Sequence, residues 1–304
     1  MPFDRRGDVI VTNAWIRRAA LLGMAPLLAG QGIYTRAVTP RLPEPQGDRS
    51  GRAGNGPPLR LLIAGDSAAA GVGVADQRDA LAGQLAASLS PHFDVRWRLV
   101  AQTGYTTRDL LTRLEQEGPQ PFDVAVLSLG VNDVTGAVRT ATWLARQQRL
   151  AALLVRRFRV RHVLLSSVPP MHEMRALPQP LRRVLGARAR HFNAALAAAV
   201  RDWPNCEVLS VALPLHPDAL ASDGFHPGEL AYRHWANQLA ARIRARESLS
   251  AARIPASRRG GMGHLLRQGA GIVQGRGEER TRSPALLLHK NQPIKEPALI
   301  SHQE

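Results

Sequence analysis

The chain has 304 residues, 44% of them hydrophobic, and one cysteine, Cys206, so it can hold one good-sized domain with appendages or two small ones and no intrachain disulfide. The formal net charge of +16 divides into +4 over residues 1–58, +7 over 59–247 and +5 over 248–304, and every basic residue is Arg except Lys290 and Lys295. No basic run is interleaved with aromatics, which make up 5% of the chain, and a nucleic-acid stacking platform is therefore not expected.

In chain order, residues 1–34 form an apolar N-terminal segment. Arg17 and Arg18 precede a largely apolar stretch over 19–34, broken by Pro26 and Gln31. It falls short of the roughly 20 residues that span a bilayer. It has the charge and length of a signal-peptide core but no small-x-small cleavage site after it. Residues 17–34 read as a membrane anchor or uncleaved signal, with a soluble packing helix and a cleaved signal as the alternatives. That reading leans towards a membrane-associated or exported location over a cytoplasmic one. Residues 35–58, rich in Pro, Gly and Arg, read as a linker.

From Leu59 the pattern changes to alternating strands and helices. Strands are predicted at 59–64, 95–101, 123–130, 162–168 and 206–211, and helices at 79–90, 107–117, 141–158, 180–202 and 228–246. Alternation of this kind predicts an α/β domain over 59–247 with a parallel sheet covered on both faces. Ligands then bind at the carboxyl ends of the strands. Cys206 opens an apolar run with no basic neighbour in sequence and reads as a buried strand residue. The periodicity stops at Ser248, and 248–304 reads as a disordered basic tail.

The first strand ends in "GDSAAAGVG" (65–73). A P-loop needs a lysine on the phosphates, and no lysine stands before position 290. A dinucleotide fingerprint fails because Asp76 occupies the place of the third glycine. The remaining reading makes Ser67 a nucleophile at a strand end, which requires a histidine base, a carboxylate to orient it and donors for an oxyanion. "ASDGFHPGEL" supplies Asp223 and His226 just before the last helix, where Pro227 suits its first turn. Gly104 follows the second strand and could present its N–H. "SLGVND" ends the third with Gly130 and Asn132, whose amide could be a second donor. His216, before Pro217, is a rival base with no carboxylate three residues upstream. Asp66 and Asp133 read as loop anchors. Asp218, Asp223, His226 and His234 lack the spacing of a metal site.

These blocks resemble the SGNH (GDSL-type) hydrolase family of esterases and lipases. "GDSAAAG" matches the serine block, Gly104 the glycine block, "GVND" the asparagine block and "DGFHP" the histidine block, in family order over residues 59–247. Gln102 and Thr103 depart from the Asn that often precedes the glycine. The resemblance implies a flavodoxin-like three-layer α/β/α sandwich on a parallel five-stranded sheet. It also implies hydrolysis of carboxylic esters through an acyl-enzyme, with no cofactor or metal. Ser67 would be the nucleophile, His226 the base, Asp223 its orienter, and Ser67, Gly104 and Asn132 the oxyanion hole. Specificity would come from 133–140 and 169–180, where Met171, Met174 and Leu177 could wall an acyl site or simply pack. The substrate would be a small-molecule or lipid-like ester. Two competing readings are a catalytically silent module that holds an acylated ligand and a basic membrane-peripheral interaction protein.

Overall fold

The computed structural model describes residues 23–210 and 217–252. The elements run α1 (Ala25–Val38), β1 (Ser50–Ala53), β2 (Pro58–Gly65), α2 (Ser67–Ala70), α3 (Leu81–Leu89), β3 (Asp94–Ala101), α4 (Thr107–Glu115), β4 (Val124–Ser128), α5 (Val131–Thr135), α6 (Thr140–Arg156), β5 (His162–Ser166), α7 (Leu181–Val200), β6 (Cys206–Leu209) and α8 (Glu229–Ala252). The sheet order is β1-β3-β2-β4-β5-β6. The five predicted strands all form, and they pair in parallel in the flavodoxin-like order.

The sheet departs from expectation at its edge. It has six strands and is mixed, because β1 pairs antiparallel with β3. β1 lies inside the stretch read as a linker. Beside the ladder, Arg52 bonds Asp94 twice, at 2.6 and 2.9 Å, across the antiparallel pair. A four-residue strand of Ser, Gly, Arg and Ala has no apolar alternation of its own, so only pairing with β3 defines it.

Alternation within the central strands builds two cores. Leu62, Ala64, Ala125, Leu127, Val163 and Leu165 face one side, under α4, α6 and α7. Leu61, Ile63, Val124, Val126 and Leu164 face the other, under α3 and α8. A strand buried on both faces must be apolar throughout, which is what 59–64 shows apart from Arg60. Arg60 is outside both cores and is bound through its backbone N–H and its guanidinium to Asp123, just ahead of β4. Helix α8 buries Tyr232, Trp235, Ala236, Leu239, Ala240 and Ile243, the i, i+3, i+4, i+7, i+8, i+11 face of one amphipathic helix. Helix α3 does the same with Leu81, Leu85 and Leu89.

The N-terminal apolar segment is described only from residue 23. Helix α1 lies against the domain: Gln31 Nε2 donates to Gln179 O, Gln31 Oε1 accepts from Leu181 N–H, and Leu28 packs on the first core. Among the described residues no helix is long and apolar enough to cross a membrane. At the other end α8 continues to Ala252, so the first residues of the stretch read as a tail are helical. Residues 253–304 lie outside those described. Cys206 is half-buried at the start of β6, and burial pushes its thiol up to about 11.

Trp143 is fully buried and stacks on Phe192 with ring centroids 4.4 Å apart. Trp143→Ala is expected to lower the unfolding free energy by about 3–5 kcal/mol, as removal of a large buried aromatic does. Urea denaturation should show this as a lower midpoint at unchanged slope.

Candidate active site

The carboxyl ends of β2, β3 and β4 lie side by side, since Gly65 is level with Ala101 on one flank and with Ser128 on the other. The loops leaving these three strands are therefore carried to one place. After β2, Asp66 caps the single turn of α2, accepting from Ala68 N–H at 3.2 Å, and Ser67 takes the first helical position. After β3, residues 102–106 form a loop that ends in a capping box between Thr106 and Asp109. After β4, Gly130 starts α5 at φ +127°, and a Cβ there would meet Val168 at 2.6 Å, so only glycine fits.

Three of the sequence-predicted residues meet here. Ser67 Oγ lies 2.9 Å from His226 Nε2, and His226 Nδ1 lies 2.5 Å from Asp223 Oδ2. Asp223 Oδ1 also accepts the backbone N–H groups of Phe225 and His226, at 2.9 and 3.0 Å, which locks the loop entering α8. Burial acts to raise the Asp223 pKa, but the His226 ring and these two N–H groups outweigh it and hold the carboxyl below its usual value. The Asp223 side chain is fully buried and His226 is 18% exposed, so the imidazole is open to the cleft from one side.

Asn132 Nδ2 donates to Tyr105 O at 2.9 Å, which ties α5 to the loop after β3. Its second amide proton has no protein acceptor among the described residues, nor do the N–H groups of Ser67 and Gly104. Gly104 sits at φ +86°, exposed, and an added Cβ would have nothing within 4 Å; glycine is needed there for its backbone angle. Three unsatisfied donors therefore belong to the loops after β2, β3 and β4.

Asp133 is an anchor, as expected. Its Oδ2 accepts both the N–H and the hydroxyl of Thr107 at 2.9 Å, and Gln147 bonds the same hydroxyl at 3.2 Å, all four groups buried. Asp66 is an anchor with an unforeseen property: burial drives its carboxyl up to about 7, partly offset by the Ala68 N–H and by His226. His216 lies outside the described residues. Among the described residues no group of three or more His, Cys, Asp or Glu side chains is placed to hold a metal ion.

A cleft opens beside Ser67 and His226. Its apolar wall includes Leu129, Val131, Val168, Met174, Leu220, Phe225 and Trp235. Of the three candidates in 169–180, only Met174 reaches it; Met171 and Leu177 are core residues. Phe225, Leu220 and Trp235 could not be singled out beforehand. Phe225 adjoins His226 in sequence, but its edge contact to that ring is a tertiary fact.

A doubly covered sheet, parallel but for its edge strand, that presents a serine, a histidine and an aspartate in hydrogen-bonded series at the carboxyl end of its parallel strands is the arrangement of a hydrolase. The chain belongs to the GDSL-like lipase/acylhydrolase family, whose profile matches residues 63–258. The GDSL-like esterase Rv1075c of Mycobacterium tuberculosis is 31% identical over 238 residues, which cover 70% of this chain and 74% of that protein. Among solved structures, esterase EstA from Pseudoalteromonas sp. is 18% identical over 62% of this chain and 99% of its own, with a TM-score of 0.49. The acetylxylan esterase Axe2 of Geobacillus stearothermophilus is 21% identical over 62% of this chain and 95% of its own, at TM-score 0.45. The protein is a carboxylic ester hydrolase.

Asp66 gives a pH dependence of stability. Its folded pKa of about 7 lies above the 3.8 of the free side chain, so between these values the native state holds the extra proton and stability falls as pH rises. Asp66→Asn keeps an acceptor for Ala68 N–H and removes the charge. Its stability relative to the wild type should therefore grow with pH by about 1 kcal/mol per pH unit across that window. Urea unfolding at pH 5, 6 and 7.5 checks this; a constant difference would mean that Asp66 does not titrate there.

Proposed function

We propose that the protein is a serine esterase working through an acyl-enzyme, with Ser67 as nucleophile, His226 as general base and acid, and Asp223 as the group that orients the imidazole. A serine hydroxyl is a weak nucleophile until a base takes its proton. In this reading His226 Nδ1 carries a proton donated to Asp223, which leaves the Nε2 lone pair to accept the Ser67 O–H. As Oγ adds to the ester carbonyl, the proton passes to Nε2 and the imidazolium is stabilised by the buried Asp223 carboxylate. The tetrahedral oxyanion takes hydrogen bonds from the N–H groups of Ser67 and Gly104 and from Asn132 Nδ2. Collapse expels the alcohol, protonated by His226. Water, activated by the same imidazole, then frees the acid and restores Ser67.

The observation that carries this reading is the 2.9 Å approach of His226 Nε2 to Ser67 Oγ across a continuous bond series to Asp223. The three unpartnered donors support the oxyanion assignment. Donors held in place before reaction are worth about 10²–10³ each in rate, because no reorganisation is needed as charge develops. The apolar wall of Leu129, Val131, Val168, Met174 and Phe225 suits the acyl portion of a small or lipid-like ester.

Hydrolysis of p-nitrophenyl acetate, butyrate and octanoate tests the reading. Ser67→Ala is expected to lower kcat by several orders of magnitude, on the order of 10⁶ as for comparable nucleophiles, with the fold intact by circular dichroism. Intact-mass spectrometry after brief exposure to the octanoate ester should find one acyl adduct, absent in Ser67→Ala. Equal turnover in both proteins would refute the nucleophile.

A further inference from the structure

The stretch ahead of β2 reaches the loop that carries Gly104. Glu44 Oε1 accepts from the backbone N–H of Thr103 at 2.7 Å and from its hydroxyl at 2.8 Å. Glu44 Oε2 accepts from Arg49 at 2.9 Å. The Arg49 guanidinium also donates to Ala101 O at the end of β3, and its carbonyl accepts Leu99 N–H at 2.7 Å. Between these two residues, Gln46 is bonded through its N–H to Ala75 O and through its carbonyl to Gln77 N–H, at 3.0 and 2.8 Å. Residues 44–49 are thus fastened to β3, to the turn beyond α2 and to the loop between β3 and α4.

Within that loop one turn bond, from Tyr105 N–H to Gln102 O at 3.2 Å, spans Thr103 and Gly104, and Tyr105 packs on the first core. Gln102, Thr103 and Gly104 are exposed. On the β3 side the backbone is tied by Gln102 N–H to Gly65 O at 3.3 Å, and on the α4 side by Tyr105 O to Asn132. The direction of the Gly104 N–H is set by the Thr103 backbone, and Thr103 is bonded to Glu44 from both its main chain and its side chain. Burial alone would raise the Glu44 pKa, yet the Thr103 bonds and Arg49 bring it below its usual value, so the acceptor is a carboxylate at neutral pH.

We propose that Glu44 is a positioning residue that aims the Gly104 N–H at the oxyanion, through its paired bonds to Thr103. The proposal rests on the reading of Gly104 as an oxyanion donor. It makes a residue outside the 63–258 family match part of the catalytic apparatus. It also answers the departure at Gln102 and Thr103: an acceptor contributed by a preceding segment fixes a loop whose own residues leave it exposed.

The test uses the full chain, with Ser67→Ala, Glu44→Ala, Glu44→Gln and Thr103→Val variants. Rates are measured on p-nitrophenyl butyrate, together with inhibition by phenylboronic acid, which becomes tetrahedral on a serine oxygen and so reads oxyanion binding. Glu44→Ala should lower kcat by about 10–100-fold, the scale of a small misplacement of a catalytic group. KM should stay within about twofold, as when an interaction made only in the transition state is lost. The boronate inhibition constant should rise with the loss in kcat. Glu44→Gln keeps a carbonyl oxygen for both Thr103 bonds and should recover most of the rate, while Thr103→Val, losing one bond of two, should fall between. The proposal is overturned if Glu44→Ala matches the wild type in kcat and boronate inhibition. It is equally overturned if the loss is not relieved by Glu44→Gln, or tracks only a reduced folded fraction by circular dichroism. Full activity in Ser67→Ala would instead overturn the underlying site. A dead Ser67→Ala beside a wild-type Glu44→Ala removes the role of Glu44 alone.

Discussion

The hydrogen bond between Ser67 and His226 joins side chains 159 positions apart, and the packing of β2 against α8 makes that contact repeatable. Neither residue has much freedom of its own. Ser67 is set by the abrupt change from β2 to a single helical turn, and His226 by two backbone bonds to Asp223 immediately before α8. The distance between them is then decided by how β2 and α8 pack. Leu61 and Ile63 from the strand and Tyr232, Trp235, Ala236 and Leu239 from the helix belong to the same core. Tyr232 adds a bond from its hydroxyl to Val72 O, tying the helix after His226 to the turn after Ser67. A dispersed apolar contact area thus fixes one short polar distance.

The opposite core supports the other half of the site. Around Asp133, a buried carboxylate, a threonine and a glutamine fasten α5, α4 and α6 together. Burying such groups is unfavourable unless each finds a partner. The bonds to Thr107 lower the Asp133 pKa, yet burial is the larger influence and leaves it raised. Adjacent to this cluster, Asn132 keeps one amide proton on Tyr105 and the other free. The cluster is only partly satisfied: Asp133 Oδ2 is bonded, while Asp133 Oδ1 and Gln147 Oε1 are buried without a partner among the described residues.

Much of this was legible in the sequence because it is encoded locally. A strand buried on both faces must be apolar, a strand-to-helix turn favours small residues, and an Asp three positions before a His can bond it within one loop. The five parallel strands, the two-sided covering and the bond series of Ser67, His226 and Asp223 come from such rules together with the family resemblance. Features made by distant pairing were not legible. β1 exists because it pairs with β3, and a Pro, Gly and Arg-rich stretch gives no local sign of it. The same holds for Glu44, whose significance depends on a loop 59 residues later. Met171 and Leu177 could have been wall or core from their chemistry alone, and packing decided for the core.

The antiparallel strand at the margin has another consequence. Without it, eight-residue β3 would present an open row of backbone donors and acceptors beside Trp97, a template on which a second chain could pair. Covering that row with four residues shifts the exposed edge to a strand too short for extended pairing, with a guanidinium on it and a glycine at its centre. Charge and brevity are the devices by which natural sheets discourage association edge to edge. The N-terminal stretch therefore acts as a selvedge for the sheet, closing its border against other chains while its preceding residues grip the loop above.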